Sequence, residues 1–113
     1  MPAELRELLG YNFADEELLT TALTHRSTGD ASNYERLEFL GDRVLGLVIA
    51  DLLIDAFPNE PEGDLSRRFH ALVRRETLAE IARTAGFAPH IRMGEPEVES
   101  GERENDAILA DIF

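Results

Sequence analysis

Tyr34-Glu35-Arg36-Leu37-Glu38-Phe39-Leu40-Gly41-Asp42-Arg43-Val44-Leu45-Gly46-Leu47-Val48-Ile49-Ala50-Asp51-Leu52-Leu53-Ile54-Asp55-Ala56 decides the fold. The run reads as one long helix, ended by Pro58. At about 100° per residue, Glu35, Glu38 and Asp42 fall within roughly a 60° arc, and Leu45 and Ile49 continue the same stripe. Leu37, Leu40, Val44 and Val48 cover much of the opposite side. A helix apolar over so much of its circumference is expected to be buried on most sides. Three acids sharing one stripe in that company repel one another, and losing their solvation costs several kcal/mol per unpaired ion. Protons, arginine partners or a divalent cation must compensate. Arg36 and Arg43 are near enough in sequence to make the stripe a salt-bridged surface face instead. If a cation is the answer, ligands that are all oxygen favour a hard ion such as Mg²⁺ or Mn²⁺ over zinc.

The neighbouring segments also read as helices. Residues 3–9 place Leu5, Leu8 and Leu9 on one side. Asp15 can cap a helix carrying Leu18, Leu19, Ala22 and Leu23, with Glu16 and Glu17 favourable in its first turn. Residues 24–33 are polar and read as a loop. Asp64 can cap a helix with Leu65, Phe69, Leu72 and Val73 on its apolar side. Thr77 and Glu80 have capping-box spacing before another, which Gly86 suits as a stop. Residues 87–101 are broken by Pro and Gly and read as a loop. Asn105 can cap a last helix with Ile108, Leu109, Ile112 and Phe113. No stretch alternates cleanly enough for a strand, so the fold class is all-α. The last helix reaches only about two turns before Phe113 and has no stop signal, so it is expected to continue beyond this stretch.

Composition sets outer limits. The 113 residues hold 23 acidic and 11 basic side chains, for a net charge of −12, with 43% hydrophobic and 30% charged residues. This describes one globular domain of about ordinary small size. The charge argues against gripping nucleic acid by bulk electrostatics and against docking on anionic membranes. The absence of Cys removes disulfide scaffolds and Cys-ligated zinc. The apolar runs are interrupted by charge, and the first residues lack the basic and apolar regions of a signal peptide, so a cytoplasmic location is expected.

The stretch Tyr34 to Asp42 resembles the signature of the ribonuclease III family, closest to its bacterial members. Four flanks agree in order: Leu18 to Ser27 with its Thr-His-x-Ser ending, Phe57-Pro58 followed by Glu62 to Ser66, Ala71 to Arg74 followed by Thr77 to Ala79, and Ile108 to Asp111. The similarity runs from about residue 5 to residue 113. The resemblance implies an all-helical endonuclease domain over residues 1–113 that forms a homodimer and cuts double-stranded RNA. Ribosomal and messenger RNA precursors are the expected substrates, and Mg²⁺ is the expected cofactor, with Mn²⁺ as a substitute. By motif position, Glu38 and Asp111 would be metal ligands. Asp42 would be the catalytic acid beside the metals, and Glu35 an outer carboxylate of the same site. Glu62 would be an acid of secondary importance, and Glu97 more loosely another. Phe39, about 40° from the acid stripe, would pack into a cavity of the partner subunit. By local sequence alone, Phe39 could equally be core, and Asp111 and Glu62 could be solvated acids. A further family carboxylate would fall one residue past Phe113, with a basic double-stranded-RNA-binding domain downstream, so the 113 residues alone are expected to be inactive. Glu102 stands where the family often has Gly.

The mechanism implied is two-metal phosphodiester hydrolysis leaving 5′-phosphate and 3′-hydroxyl ends. No imidazole base is required. His25 is expected to hold the turn after its helix, and His70 and His90 to be exposed. A non-catalytic RNA-binding or structural dimer on the same fold is the alternative. An unrelated acidic helical domain that binds cations or a basic protein is a more distant one.

Overall fold

The computed structural model describes residues 3–94 and 105–113. Its elements are α1 (Ala3–Leu9), α2 (Glu16–Ala22), a 3₁₀ turn (Arg26–Thr28), α3 (Glu35–Ala56), α4 (Glu62–Val73), α5 (Arg75–Ala85), a second 3₁₀ turn (Ala88–His90) and α6 (Asp106–Ile112). Among the described residues the sole extended pairing is an isolated parallel bridge between Thr24 and Arg92. The all-α expectation holds.

Local capping explains several of the ends. Asp15 accepts from the Glu17 N–H at 3.0 Å, and Asn105 accepts from the N–H groups of Ala107 and Ile108. Gly86 closes α5 at φ 86°, a left-handed geometry that a side chain would strain. Two starts differ from the sequence reading. Helix α4 begins at Glu62 behind Pro61, and Asp64 pairs with Arg67 inside the first turn instead of capping. Helix α5 begins at Arg75, directly after the single hinge residue Arg74, and the Thr77 hydroxyl donates back to the Ala71 carbonyl at 2.8 Å. The tight α4–α5 corner thus takes the hydroxyl that a capping box would have used.

The core has two parts. Ala79 and Ala82 of α5 pack with Ala88, Ile91 and Leu109, and small alanines let α5 and α6 approach closely. Leu5, Leu19 and Leu23 tie α1 to α2, and Phe87 and Ile112 touch both parts.

Helix α3 is the main departure from expectation. Within one chain it buries Leu53 fully, and Leu45 and Ile49 in part. Phe69 of α4 lies beside Gly46, where an added Cβ would stand 3.5 Å from the ring. The other side is bare: Leu40, Val44, Val48 and Leu52 are exposed, Phe39 is 64% exposed and Leu47 73%. Only one flank of this helix meets the rest of its own chain.

Candidate active site

Two acids of the α3 stripe line a hollow of about 340 Å³, walled by Glu38, Gly41 and Asp42 of α3, by Asp111 of α6, and by Val73, Arg75 and Leu78 at the α4–α5 corner, whereas Glu35 is exposed outside it. Tyr34 closes one end. Helix α6 brings Asp111 here because Ile108 and Leu109, on its other side, are anchored in the core.

The start of α3 is held by a clasp that sequence reasoning did not foresee. Residues 24–33 are not simply a polar loop, since Thr24 and His25 are buried. The His25 N–H donates to the Arg92 carbonyl and the Arg92 N–H to the Leu23 carbonyl, both at 2.7 Å. Nδ1 of His25 accepts from the Ser27 N–H at 3.2 Å and lies 2.8 Å from the Ser27 hydroxyl, which accepts from the Gly94 N–H. This is the turn-holding role expected of His25. His70 is exposed as expected, whereas His90 is half-buried, set against Leu19 and Leu23 beside α2.

The Tyr34 N–H donates to the Thr24 carbonyl at 3.0 Å, its ring stacks on His25 with centroids 5.5 Å apart, and its hydroxyl accepts from Arg26 at 3.3 Å. Tyr34 is only 2% exposed. Asn33 accepts from the Glu35 N–H at 3.0 Å. The first turn of α3 is therefore fixed from three sides, and with it the bearings of Glu35 and Glu38. Asn33 acts locally, two residues before Glu35, but no local sequence pattern signals the contacts of Tyr34 with Thr24, His25 and Arg26.

The acids press on one another. Glu38 is held above its ordinary pKa of 4.5, first by burial of its carboxyl, then by Asp111, which both repels it and shares a hydrogen bond with it, then by Asp42 and Glu35. Tyr34 is likewise raised, by burial and then by Asp111. Arginine compensation is slight. Arg43 reaches Asp42 at 3.5 Å with both side chains largely in water, and its guanidinium also lies 3.9 Å over the Phe39 ring. No ion pair to Glu35 or Glu38 is present among the described residues, so Asp42 alone of the stripe is salt-bridged. Glu62 begins α4, is exposed and does not line the hollow. Glu97 and Glu102 lie outside the described residues.

The donor set suits a hard dication. Its ligands are carboxylate oxygens, and the crowding of Glu38 against Asp111 is what a bound cation would relieve. Among the described residues no three such side chains form a ready-made ion cage, so binding would draw the carboxylates inward.

An all-helical domain that gathers carboxylates from two helices into one hollow is the class that fold and site define. Comparison with known proteins makes this particular. A Ribonuclease-III-like family model matches residues 15–113. Ribonuclease 3 of Thiobacillus denitrificans is 53% identical over 100% of this chain and 50% of its own length. That of Azorhizobium caulinodans is 50% identical, over 97% of this chain and 49% of its own length. The nuclease domain of ribonuclease III from Campylobacter jejuni superposes with a TM-score of 0.94 at 42% identity, over 97% of this chain and 77% of that one. The chain belongs to the ribonuclease-III-like family. It spans about half the length of the curated relatives it matches.

Proposed function

We propose that this chain is the nuclease part of a Mg²⁺-dependent endoribonuclease that hydrolyses double-stranded RNA to 5′-phosphate and 3′-hydroxyl ends. One observation carries the reading: Glu38, Asp42 and Asp111 wall a single hollow with little cationic compensation, in a chain of this family. Glu38 and Asp111 would hold the metal, with Asp42 beside them as the catalytic acid. Glu35, exposed at the head of the same stripe, would orient water or substrate. Glu62 would act from farther off, at the start of α4. Mg²⁺, or Mn²⁺ in its place, held by Glu38 and Asp111 would supply activation of a water and charge stabilisation at the leaving 3′-oxygen for an in-line displacement, in the two-metal manner. The carboxylates of this chain orient that water, and the clasp at Tyr34 keeps them in place.

The working form is a homodimer. The bare apolar side of α3 supports this, since a row of exposed Leu, Val and Phe is costly to leave in water. The comparable nuclease domain from Campylobacter jejuni is described as having a region involved in dimer formation. Phe39 is no core residue, and we place it at that interface. The substrates are ribosomal and messenger RNA precursors in the cytoplasm. Among the described residues, no helix is long and apolar enough to cross a membrane.

Binding of an RNA duplex in Ca²⁺ by the full-length protein, followed by addition of Mg²⁺ to the same complex, tests the reading. Retention in Ca²⁺ and cutting on addition of Mg²⁺ are expected. Retention without cutting would instead identify a non-catalytic RNA-binding module.

A further inference from the structure

The hollow has a wall of the opposite sign. Arg75, the first residue of α5, lines it together with Glu38, Asp42 and Asp111, and it is the one basic side chain among the described lining residues. Four arginines at the α4–α5 corner could supply positive charge, and three are committed elsewhere. Arg67 pairs with Asp64. Arg68 forks onto both carboxylate oxygens of Glu60 at 2.8 and 2.9 Å while lying 3.7 Å over the Phe57 ring. Arg74 reaches Glu76 at 3.8 Å.

Arg75 has no ion pair or hydrogen bond among the described residues. It lines the same hollow as three acids and pairs with none of them, so neutralising them is not what it does there. A guanidinium held at such a wall presents a planar fork that fits a phosphate through two parallel hydrogen bonds. A body of net charge −12 supplies no diffuse attraction for a polyanion, so phosphate must be met by a local cation.

We infer that Arg75 grips a backbone phosphate of the RNA strand laid across the hollow and so sets that strand against the carboxylates. The inference rests on the nuclease reading and adds to it a substrate-contact residue. Arg75 is exposed, so its replacement leaves the fold intact, which an unchanged melting temperature will confirm.

The test compares, in the full-length protein, wild type, Arg75→Ala, Arg75→Lys and Arg67→Ala by binding of a fluorescent RNA duplex in Ca²⁺ at several salt concentrations, then by cleavage in Mg²⁺. Arg75→Ala is expected to bind about tenfold more weakly, the loss of one charge-assisted contact. Its log K against log salt slope should flatten by about one phosphate. Arg75→Lys should recover part of the affinity, and Arg67→Ala should match wild type. Wild-type affinity and slope in Arg75→Ala would overturn the inference, as would an equal loss in Arg67→Ala. A wild type that cuts duplex RNA beside an unaffected Arg75→Ala sinks this inference alone. A wild type that never cuts sinks it together with the nuclease reading.

Discussion

Glu38 is the side chain on which the opposing demands of the site meet. Burial of its carboxyl, and then the crowding of Asp111, Asp42 and Glu35, hold its folded pKa above 4.5. The folded protein therefore holds this proton more tightly than the unfolded chain does. By linkage, stability falls as pH rises from about 4.5 through the raised folded value. In metal-free buffer, chemical denaturation of wild type across that window should show the decline, and Glu38→Gln should flatten it. The same variant should lose the rise in melting temperature that Mg²⁺ gives wild type. A wild-type response to Mg²⁺ in Glu38→Gln would remove Glu38 from the cation site. Tyr34 makes a second prediction at this scale. Tyr34→Phe keeps the ring on His25 and loses the hydroxyl that accepts from Arg26, at about 1 kcal/mol. Tyr34→Ala empties a fully buried position, at about 3–5 kcal/mol. Urea denaturation distinguishes the two. The acid stripe itself was legible in the sequence, because Glu35, Glu38 and Asp42 are related by helix periodicity alone. The clasp around Tyr34 was not, since Thr24, Arg26 and Arg92 meet it only through the tertiary fold.

Among the elements, α3 has two unlike sides. The acid-bearing stripe with Leu45 and Ile49 faces its own chain, whereas Leu40, Val44, Leu47 and Val48 face outward. The sequence showed how much of the helix is apolar, and burial was the natural reading. It could not show that one side waits for a cover from outside the chain. Leu47→Glu separates the possibilities. In a free monomer an exposed substitution shifts stability by no more than about 0.5 kcal/mol. Across a homodimer seam it places two like charges in an apolar contact and should convert the dimer to monomer in sedimentation analysis. A dimer unmoved by Leu47→Glu would put the interface elsewhere. Helix ends divide in the same way. Asp15, Asn105 and Gly86 act on neighbours within a few residues and were read correctly. Asp64 and Thr77 were drawn into an arginine pair and a helix corner, partners that no local pattern specifies.

Over the whole molecule, the arrangement places a set of acids with little cationic compensation where α3, α6 and the α4–α5 corner converge. Its net charge of −12 first argued against nucleic acid. In the proposed reading several of those acids form the site itself, and positive charge would enter locally, through Arg75 and through cations held by the carboxylates. Asp111 could be assigned to this site from the sequence only through resemblance, since in isolation it is one acid on a short helix. The fold supplies the physical reason, by packing Ile108 and Leu109 inward and leaving Asp111 at the hollow. The sequence offers Arg67, Arg68, Arg74 and Arg75 alike as local counter-charge, and only the pairing of the first three in the fold singles out Arg75. The central claim is that these carboxylates carry Mg²⁺-dependent cleavage. Asp42 tests it with least disturbance, because its side chain is largely in water and its one ion pair is weak. The measurement is cleavage of an RNA duplex in Mg²⁺ by the full-length protein and its Asp42→Asn variant, with folding and sedimentation verified. Loss of cleavage with the fold and assembly intact is predicted, and near-normal Mg²⁺-dependent cleavage by the variant would contradict the account.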